Sequence, residues 1–222
     1  PGSTIISAKQ SYEVEQIIIE KAKMQKAKIH WVSPLSKEWD LGLKGKVQLQ
    51  NAAVAKKAIE ELKNFGWEIC EKKLKEGLAA AQWPGRLQLM RWNGMNIIVD
   101  GAHNPHAADQ LSRERNSWEG QESGINWILG IQTHKDAPSM LKKLIKKNDI
   151  AWIIPVPGYQ SWNRDQLSKE CPMFSSQLRT SESVESVLNL IKSNRQSSSS
   201  PSVIFGSLYL IGYLFSNKII TE

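Results

Sequence analysis

The 222 residues, 41% of them apolar, are enough to bury the core of one large domain or of one and a half typical ones. No run approaches the roughly 20 consecutive apolar residues that a membrane helix needs. The apolar stretch from Val203 to Phe215 is broken by Gly206, Ser207 and Gly212, so a soluble globular protein is expected and no membrane partner.

Residues 3–7 read as a short strand, followed by a helix with Val14, Ile17, Ile18 and Lys21 along one face and a second strand over Ile29–Ser33. Gly42 and Gly45 break the pattern. Asn51 then opens a helix whose Val54, Ala55, Ala58, Ile59, Leu62 and Phe65 recur at intervals of three and four, and Gly66 stops it. A β-α-β-α piece of this size cannot cover both faces of a parallel sheet, so residues 1–83 are expected to be the remnant of a larger domain. The opening Pro1-Gly2, with no methionine and no signal pattern, points the same way, to a chain cut from a longer one.

From Trp83 the texture changes. Leu87–Trp92, Asn93-Gly94 and Met95–Asp100 spell a two-residue hairpin, because Asn-Gly supplies the positive φ values of a type I′ turn. Asn126–Gln132, Ile150–Pro155 and Ser202–Phe205 are near-continuous apolar runs of the buried-strand kind, separated by helical patterns at 135–147 and 181–194. The fold class is therefore α/β, with residues 84–222 built around a mainly parallel sheet and right-handed crossovers. Ser197–Ser200 reads as a mobile polar loop without function.

Cys70 and Cys171 stand far apart with no metal-binding spacing, which argues against a zinc site or a disulfide framework and fits a reducing cytosol, so a cytoplasmic location is expected. The formal charge of +7 would concentrate anions, although much of it lies in Lys56-Lys57, Lys72-Lys73, Lys142-Lys143 and Lys146-Lys147 on predicted helices, the mark of solvated faces. The nine tryptophans are scattered rather than interleaved with basic runs, so no nucleic-acid partner is expected.

Chemistry concentrates in Asn96-Ile97-Ile98-Val99-Asp100-Gly101-Ala102-His103-Asn104-Pro105, where an apolar strand runs into a carboxylate, a glycine and an imidazole. Ligands of open parallel sheets bind beyond the carboxyl ends of the strands. Taken alone, a strand ending in Asp-Gly is equally an ordinary turn. Three more segments accompany it: Leu43-Lys44-Gly45-Lys46-Val47-Gln48-Leu49-Gln50-Asn51-Ala52-Ala53-Val54-Ala55, Trp83-Pro84-Gly85-Arg86-Leu87-Gln88 and Phe205-Gly206-Ser207-Leu208-Tyr209-Leu210-Ile211-Gly212. In this order and at these separations the set resembles the folylpolyglutamate synthase and dihydrofolate synthase family of the Mur ligase superfamily. One position departs, since the family commonly has His where Val47 stands.

The resemblance implies a remnant of a Mur-ligase-type central ATPase domain over 1–83 and a Rossmann-like C-terminal domain over 84–222. It also implies an ATP-dependent amide ligase, in which a substrate carboxylate becomes an acyl phosphate that the amino group of glutamate attacks. Such chemistry calls for positioned cations and hydrogen-bond donors rather than a covalent nucleophile. Arg86, after the rigid Pro84-Gly85 turn, matches a position that meets ATP phosphates, against the alternative of a hairpin-capping arginine. Asp100 matches a nucleotide contact, through ribose hydroxyls, against a turn-forming or capping role. His103 matches a histidine at the reaction centre that meets the acyl phosphate or the incoming glutamate. His30, His106 and His134 are read as structural. Asn51 matches an adenine contact, with helix capping as its competitor. Ser207 matches a glutamate-binding position, against a role in packing the last helix.

No GxxxxGK[ST] loop occurs, because Gly42-Leu43-Lys44-Gly45-Lys46-Val47 has the wrong spacing and no hydroxyl after its lysine. The resemblance implies that this loop, the Mg2+ ligands and a carbamylated lysine lie upstream of Pro1, that no metal ligand lies in this chain, and that the fragment alone is inactive. Folate or dihydropteroate, L-glutamate and ATP are the expected partners of a monomer. Two other readings stay open: a Rossmann-type nucleotide-binding module without ligase activity, against which no GxGxxG follows a strand, and another Mur-type amino-acid ligase.

Overall fold

The computed structural model describes residues 2–194 and 200–221. Of the polar run Ser197–Ser200, all but Ser200 lies outside the described residues. The chain forms two compact units, residues 1–83 and 84–222.

In the first unit, strand β1 (Thr4–Ala8), helix α1 (Tyr12–Met24) and strand β2 (Lys28–Val32) make a parallel pair in register from Thr4 opposite Lys28 to Ala8 opposite Val32. Helices α2 (Val47–Glu61) and α3 (Glu71–Ala80) follow, and α2 runs on through a 3-10 turn to Gly66, whose φ of 85° ends it. Two expectations need correction here. Asn51 does not open α2: the helix begins at Val47, just after Gly45 with φ 105°, so Asn51 sits in its second turn. The predicted inward faces are also largely uncovered. Val14 and Ile17 are 41% and 66% exposed, and Phe65 is 72% exposed, while the buried apolar side chains of the unit are Ala22, Ala52, Ala53 and Leu74. A two-stranded parallel sheet has no second layer against which such faces can pack.

The second unit is a three-layer α/β sandwich. Strands β3 (Gln88–Trp92) and β4 (Met95–Val99) form the antiparallel hairpin, with φ of 46° at Asn93 and 82° at Gly94 as the type I′ turn requires. Helix α4 (Pro105–Glu114), strand β5 (Asn126–Leu129), helix α5 (Ala137–Leu144), strand β6 (Ile150–Ile153), helix α6 (Arg164–Glu170), strand β7 (Leu178–Thr180), helix α7 (Val184–Ser193), strand β8 (Ser202–Phe205) and helix α8 (Leu208–Ser216) complete it. The sheet order is β3-β4-β8-β5-β6-β7, parallel everywhere except between β3 and β4.

Strand alternation sends side chains to both faces. Trp127, Leu129, Val203 and Phe205 pack with Leu111 of α4, Met140 and Leu141 of α5 and Leu167 of α6. Ile97, Val99, Ile128 and Ile204 pack on the other face with Val187 and Leu188 of α7 and Leu210 and Leu214 of α8. Trp127 and Phe205 are fully buried with ring centroids 5.6 Å apart at 75°, an edge-to-face pair. Each such side chain contributes about 1.5–3 kcal/mol by burial alone. The helix after β8 lies on one face while those after its neighbours β4 and β5 lie on the other, so the carboxyl end of β8 opens between diverging connections, where ligands of open α/β sheets sit.

Candidate active site

At the carboxyl end of β4 the chain turns through Asp100, which is 9% exposed. Its backbone N–H still donates to Ile204 O of β8 at 3.0 Å, so the residue is held in the sheet while its side chain leaves it. One carboxylate oxygen, Oδ1, accepts the Ala102 amide at 2.7 Å, and the other, Oδ2, accepts the Leu87 amide at 3.0 Å. The Gly101 amide donates to Gly85 O at 2.7 Å. The Leu87 and Gly101 bonds fasten the Pro-Gly-Arg-Leu turn to the strand end, and the Ala102 bond closes the strand end on itself. They also explain why Leu87, a non-glycine residue, is held at φ 45°.

Burial pushes the Asp100 carboxyl above its ordinary range; the amides of Leu87 and Ala102 and the charges of Arg86 and His103 pull the other way without cancelling it. Asp100 thus makes the turn its sequence allowed, and its carboxylate is already engaged by two backbone donors. Each oxygen keeps a further lone pair for a ligand hydroxyl.

Arg86 is half-buried on this braced turn and forms no ion pair within 4.0 Å among the described residues. The Leu87 amide bond to Asp100 keeps the neighbouring Arg86 at the same strand end, where its positive charge favours the ionised Asp100 carboxyl. His103 is half-buried two residues past Gly101, with Nδ1 donating to Gly101 O at 2.8 Å. That bond selects the tautomer in which the neutral ring presents Nε2 as an acceptor, and a protonated ring would present it as a donor. Asn104 caps α4 by accepting the Ala107 amide at 2.8 Å, with Pro105 in the first turn, so His103 stands at the mouth of a rigidly started helix.

The third segment enters from β8. The Gly206 amide donates to Ala102 O at 2.9 Å, and a Cβ on Gly206 would lie 2.6 Å from Gly130 O, so only glycine lets β8, β5 and the Asp100 turn close together. Ser207 follows and is 1% exposed, with Oγ accepting the amides of Tyr209 at 3.2 Å and Leu210 at 3.4 Å. Ser207 is thus the N-cap of α8, where its hydroxyl oxygen holds the junction in place.

Arg86, Asp100, His103 and Ser207 thus come together at the carboxyl ends of β4 and β8. Asn51 belongs to the first unit, is exposed on α2, and donates from Nδ2 to Gln48 Oε1 at 3.0 Å. His106 is exposed in the first turn of α4, and His134 is exposed past β5. The described residues contain no group of three His, Cys, Asp or Glu side chains able to hold a metal ion. The sequence reading missed the Leu87 and Ala102 amides and the Gly85 carbonyl, because backbone groups carry no residue signature.

Residues 86–217 match the family model described as dihydrofolate synthetase, C-terminal domain. The chain belongs to this family. It is 28% identical over 184 residues to the probable dihydrofolate synthetase of Schizosaccharomyces pombe, a stretch covering 78% of the chain and 43% of that relative. It is 32% identical over 120 residues to the folylpolyglutamate synthase of Lacticaseibacillus casei, covering 54% of the chain and 27% of that enzyme. The folylpolyglutamate synthase of Mycobacterium tuberculosis, solved with ADP and AMPPCP, superposes with a TM-score of 0.81 at 18% identity over 98% of the chain and 55% of its own. The fold is accordingly that of the Mur ligases, and the chain spans about half the length of its relatives or less.

Proposed function

We propose that the chain is part of an ATP-dependent amide ligase that adds L-glutamate to a folate or to dihydropteroate, as a folylpolyglutamate synthase, a dihydrofolate synthase or both. The convergence of Arg86, Asp100 and His103 at a sheet's carboxyl edge, inside the family match, carries this reading. Residues 1–83 would be the remnant of the central ATPase domain and residues 84–222 the C-terminal domain. The phosphate loop and the Mg2+ ligands would belong to polypeptide outside this chain, so the 222 residues alone neither hydrolyse ATP nor extend a folate. Two unpaired cysteines among the described residues accord with a cytoplasmic enzyme.

In this reading negative charge grows on the transferred phosphoryl group and on the carbonyl oxygen of the acyl phosphate. Arg86 supplies a permanent, half-buried positive charge on a braced turn, so little reorganisation is needed as that charge develops. Asp100 orients the turn through Leu87 and the histidine loop through Ala102, and its remaining lone pairs meet nucleotide hydroxyls. His103, held by Gly101 O, turns Nε2 to the reacting carboxyl or the incoming amine. Ser207 fixes the α8 junction beside them. Asn51 keeps an amide hydrogen and its carbonyl oxygen for an adenine edge.

The test compares two histidines in the protein extended to the length of its relatives. His103→Ala should slow glutamate incorporation while leaving ATP affinity nearly unchanged, and His106→Ala, at an exposed position, should leave both nearly unchanged. Incorporation that needs neither ATP nor glutamate, or equal loss in the two variants, would contradict the reading.

A further inference from the structure

The Trp-Pro-Gly-Arg-Leu-Gln segment ends on a side chain to which the reaction above gives no part. Gln88 opens β3, with its backbone opposite Val99 of β4, and its side chain reaches back three residues so that Oε1 accepts the Gly85 amide at 2.9 Å. Arg86 therefore stands between two pinned neighbours. Before it, the Gly85 amide donates to Gln88 and the Gly85 carbonyl accepts the Gly101 amide at 2.7 Å. After it, the Leu87 amide donates to Asp100 Oδ2 at 3.0 Å. The turn depends on such bonds, because Gly85 and Leu87 both stand at positive φ, 71° and 45°, and Leu87 is strained there.

Gly85 is buried, so its N–H needs a partner, and Gln88 supplies it. On the side of α8 there is no slack: a Cβ on Gly85 would lie 3.0 Å from Ile211 Cγ2, so the turn already packs closely on that helix. Without the Gln88 oxygen the buried amide is left unsatisfied, and the peptide between Pro84 and Gly85 must rotate to reach water. Rotation there changes the backbone direction into Arg86 and carries the guanidinium away from its position. We propose that Gln88 is a positioning residue for Arg86: its carboxamide oxygen fixes the Gly85 peptide and, through it, the direction in which the guanidinium meets the transferring phosphoryl group. The step that Arg86 serves rests on the ligase reading above, whereas the bracing is a property of the turn.

Two measurements test this. On the 222-residue chain, without nucleotide, amide hydrogen exchange is read by NMR: Gln88→Leu should speed exchange at Gly85 by about tenfold or more through local opening. The Ile154 amide, which donates to Leu129 O inside the sheet, should keep the parent's protection. Gln88→Glu retains an acceptor oxygen at the same reach and should restore protection at Gly85. In the protein extended to the length of its relatives, Gln88→Leu should lower kcat about tenfold with KM for ATP within about twofold, since a misplacement of about 1 Å is felt mainly in the transition state. With Arg86→Ala already in place the same change should lower kcat by less than about twofold, because a residue that acts through another then has nothing to position. Gln88→Glu should again approach the parent. If Gln88→Leu does not fold, Gln88→Asn, which withdraws the oxygen by one methylene, should show the same pattern in smaller measure. Unchanged Gly85 exchange, unchanged kcat, an equal loss in the two Arg86 backgrounds, or an equal loss in Gln88→Glu would overturn the proposal. An extended parent that releases no ADP in response to glutamate and a folate would remove the ligase reading instead, and the exchange measurement would still decide whether Gln88 braces the turn.

Discussion

At the amino ends of β5 and β6 the Asp149 carboxylate accepts five hydrogen bonds: from Arg115 Nη1 at 2.6 Å and Nη2 at 2.7 Å, and from the Ile125 amide, the Trp127 indole and the Lys146 amide, each at 2.9 Å. Its side chain is 0% exposed and that of Arg115 5%. Burial alone would push this carboxyl up, but the guanidinium, the indole and the two amides outweigh it and hold it below the ordinary value of 3.8. A depressed folded value means the stabilisation is complete above the ordinary value and is lost as pH falls through the lowered one. Asp149→Ala leaves Arg115 buried and uncompensated, which typically costs about 3–5 kcal/mol. Urea denaturation at neutral pH should show that loss, and the gap between variant and parent should close at strongly acid pH. A gap that persists unchanged there would contradict the assignment. Asp100 has the opposite sign: its raised carboxyl is easiest to fold below the ordinary value and becomes more costly as pH rises through the folded one.

Elements were legible where local chemistry decided them. The Asn93-Gly94 turn follows from the positive φ both residues tolerate, and β5, β6 and β8 from apolar runs covered on both faces. Strand β7 and helix α6 left no clear signal. Leu178–Thr180 is three residues long with one buried, and Arg164–Glu170 is seven residues long with Leu167 alone buried, too short for a period to emerge. The start of α2 was misplaced because Lys46 stands at its cap without any side-chain cap bond. At the candidate site the polar residues could be read from the motif segments, but Asp100's two amide partners come from backbone 13 residues and 2 residues away. The α8 junction supplies the element-scale prediction. Ser207→Ala removes the acceptor for the Tyr209 and Leu210 amides and should lower stability by about 1 kcal/mol in equilibrium unfolding, the usual value of an N-cap. An unchanged midpoint and slope would show that the cap bonds contribute nothing.

At the scale of the whole molecule the two units differ in what they bury. Among the described residues, 84–222 enclose two cores, one on each face of a six-stranded sheet, whereas 1–83 bury four apolar side chains around a two-stranded one. The described residues contain no helix long and apolar enough to cross a membrane. Our account makes the first unit part of a larger ATPase domain and assigns the second the charge that meets the transferring phosphoryl group. The claim therefore turns on Arg86, whose braced, half-buried guanidinium has no ion-pair partner among the described residues. The most direct measurement is the rate of ADP release that depends on both glutamate and a folate, in the protein extended to the length of its relatives, with Arg86→Ala beside the parent. Turnover should fall on the order of a hundredfold with the fold intact, as when one donor to a developing charge is removed. Turnover within a factor of about two of the parent would contradict the account, because a group that meets the transition state cannot be removed at so little cost.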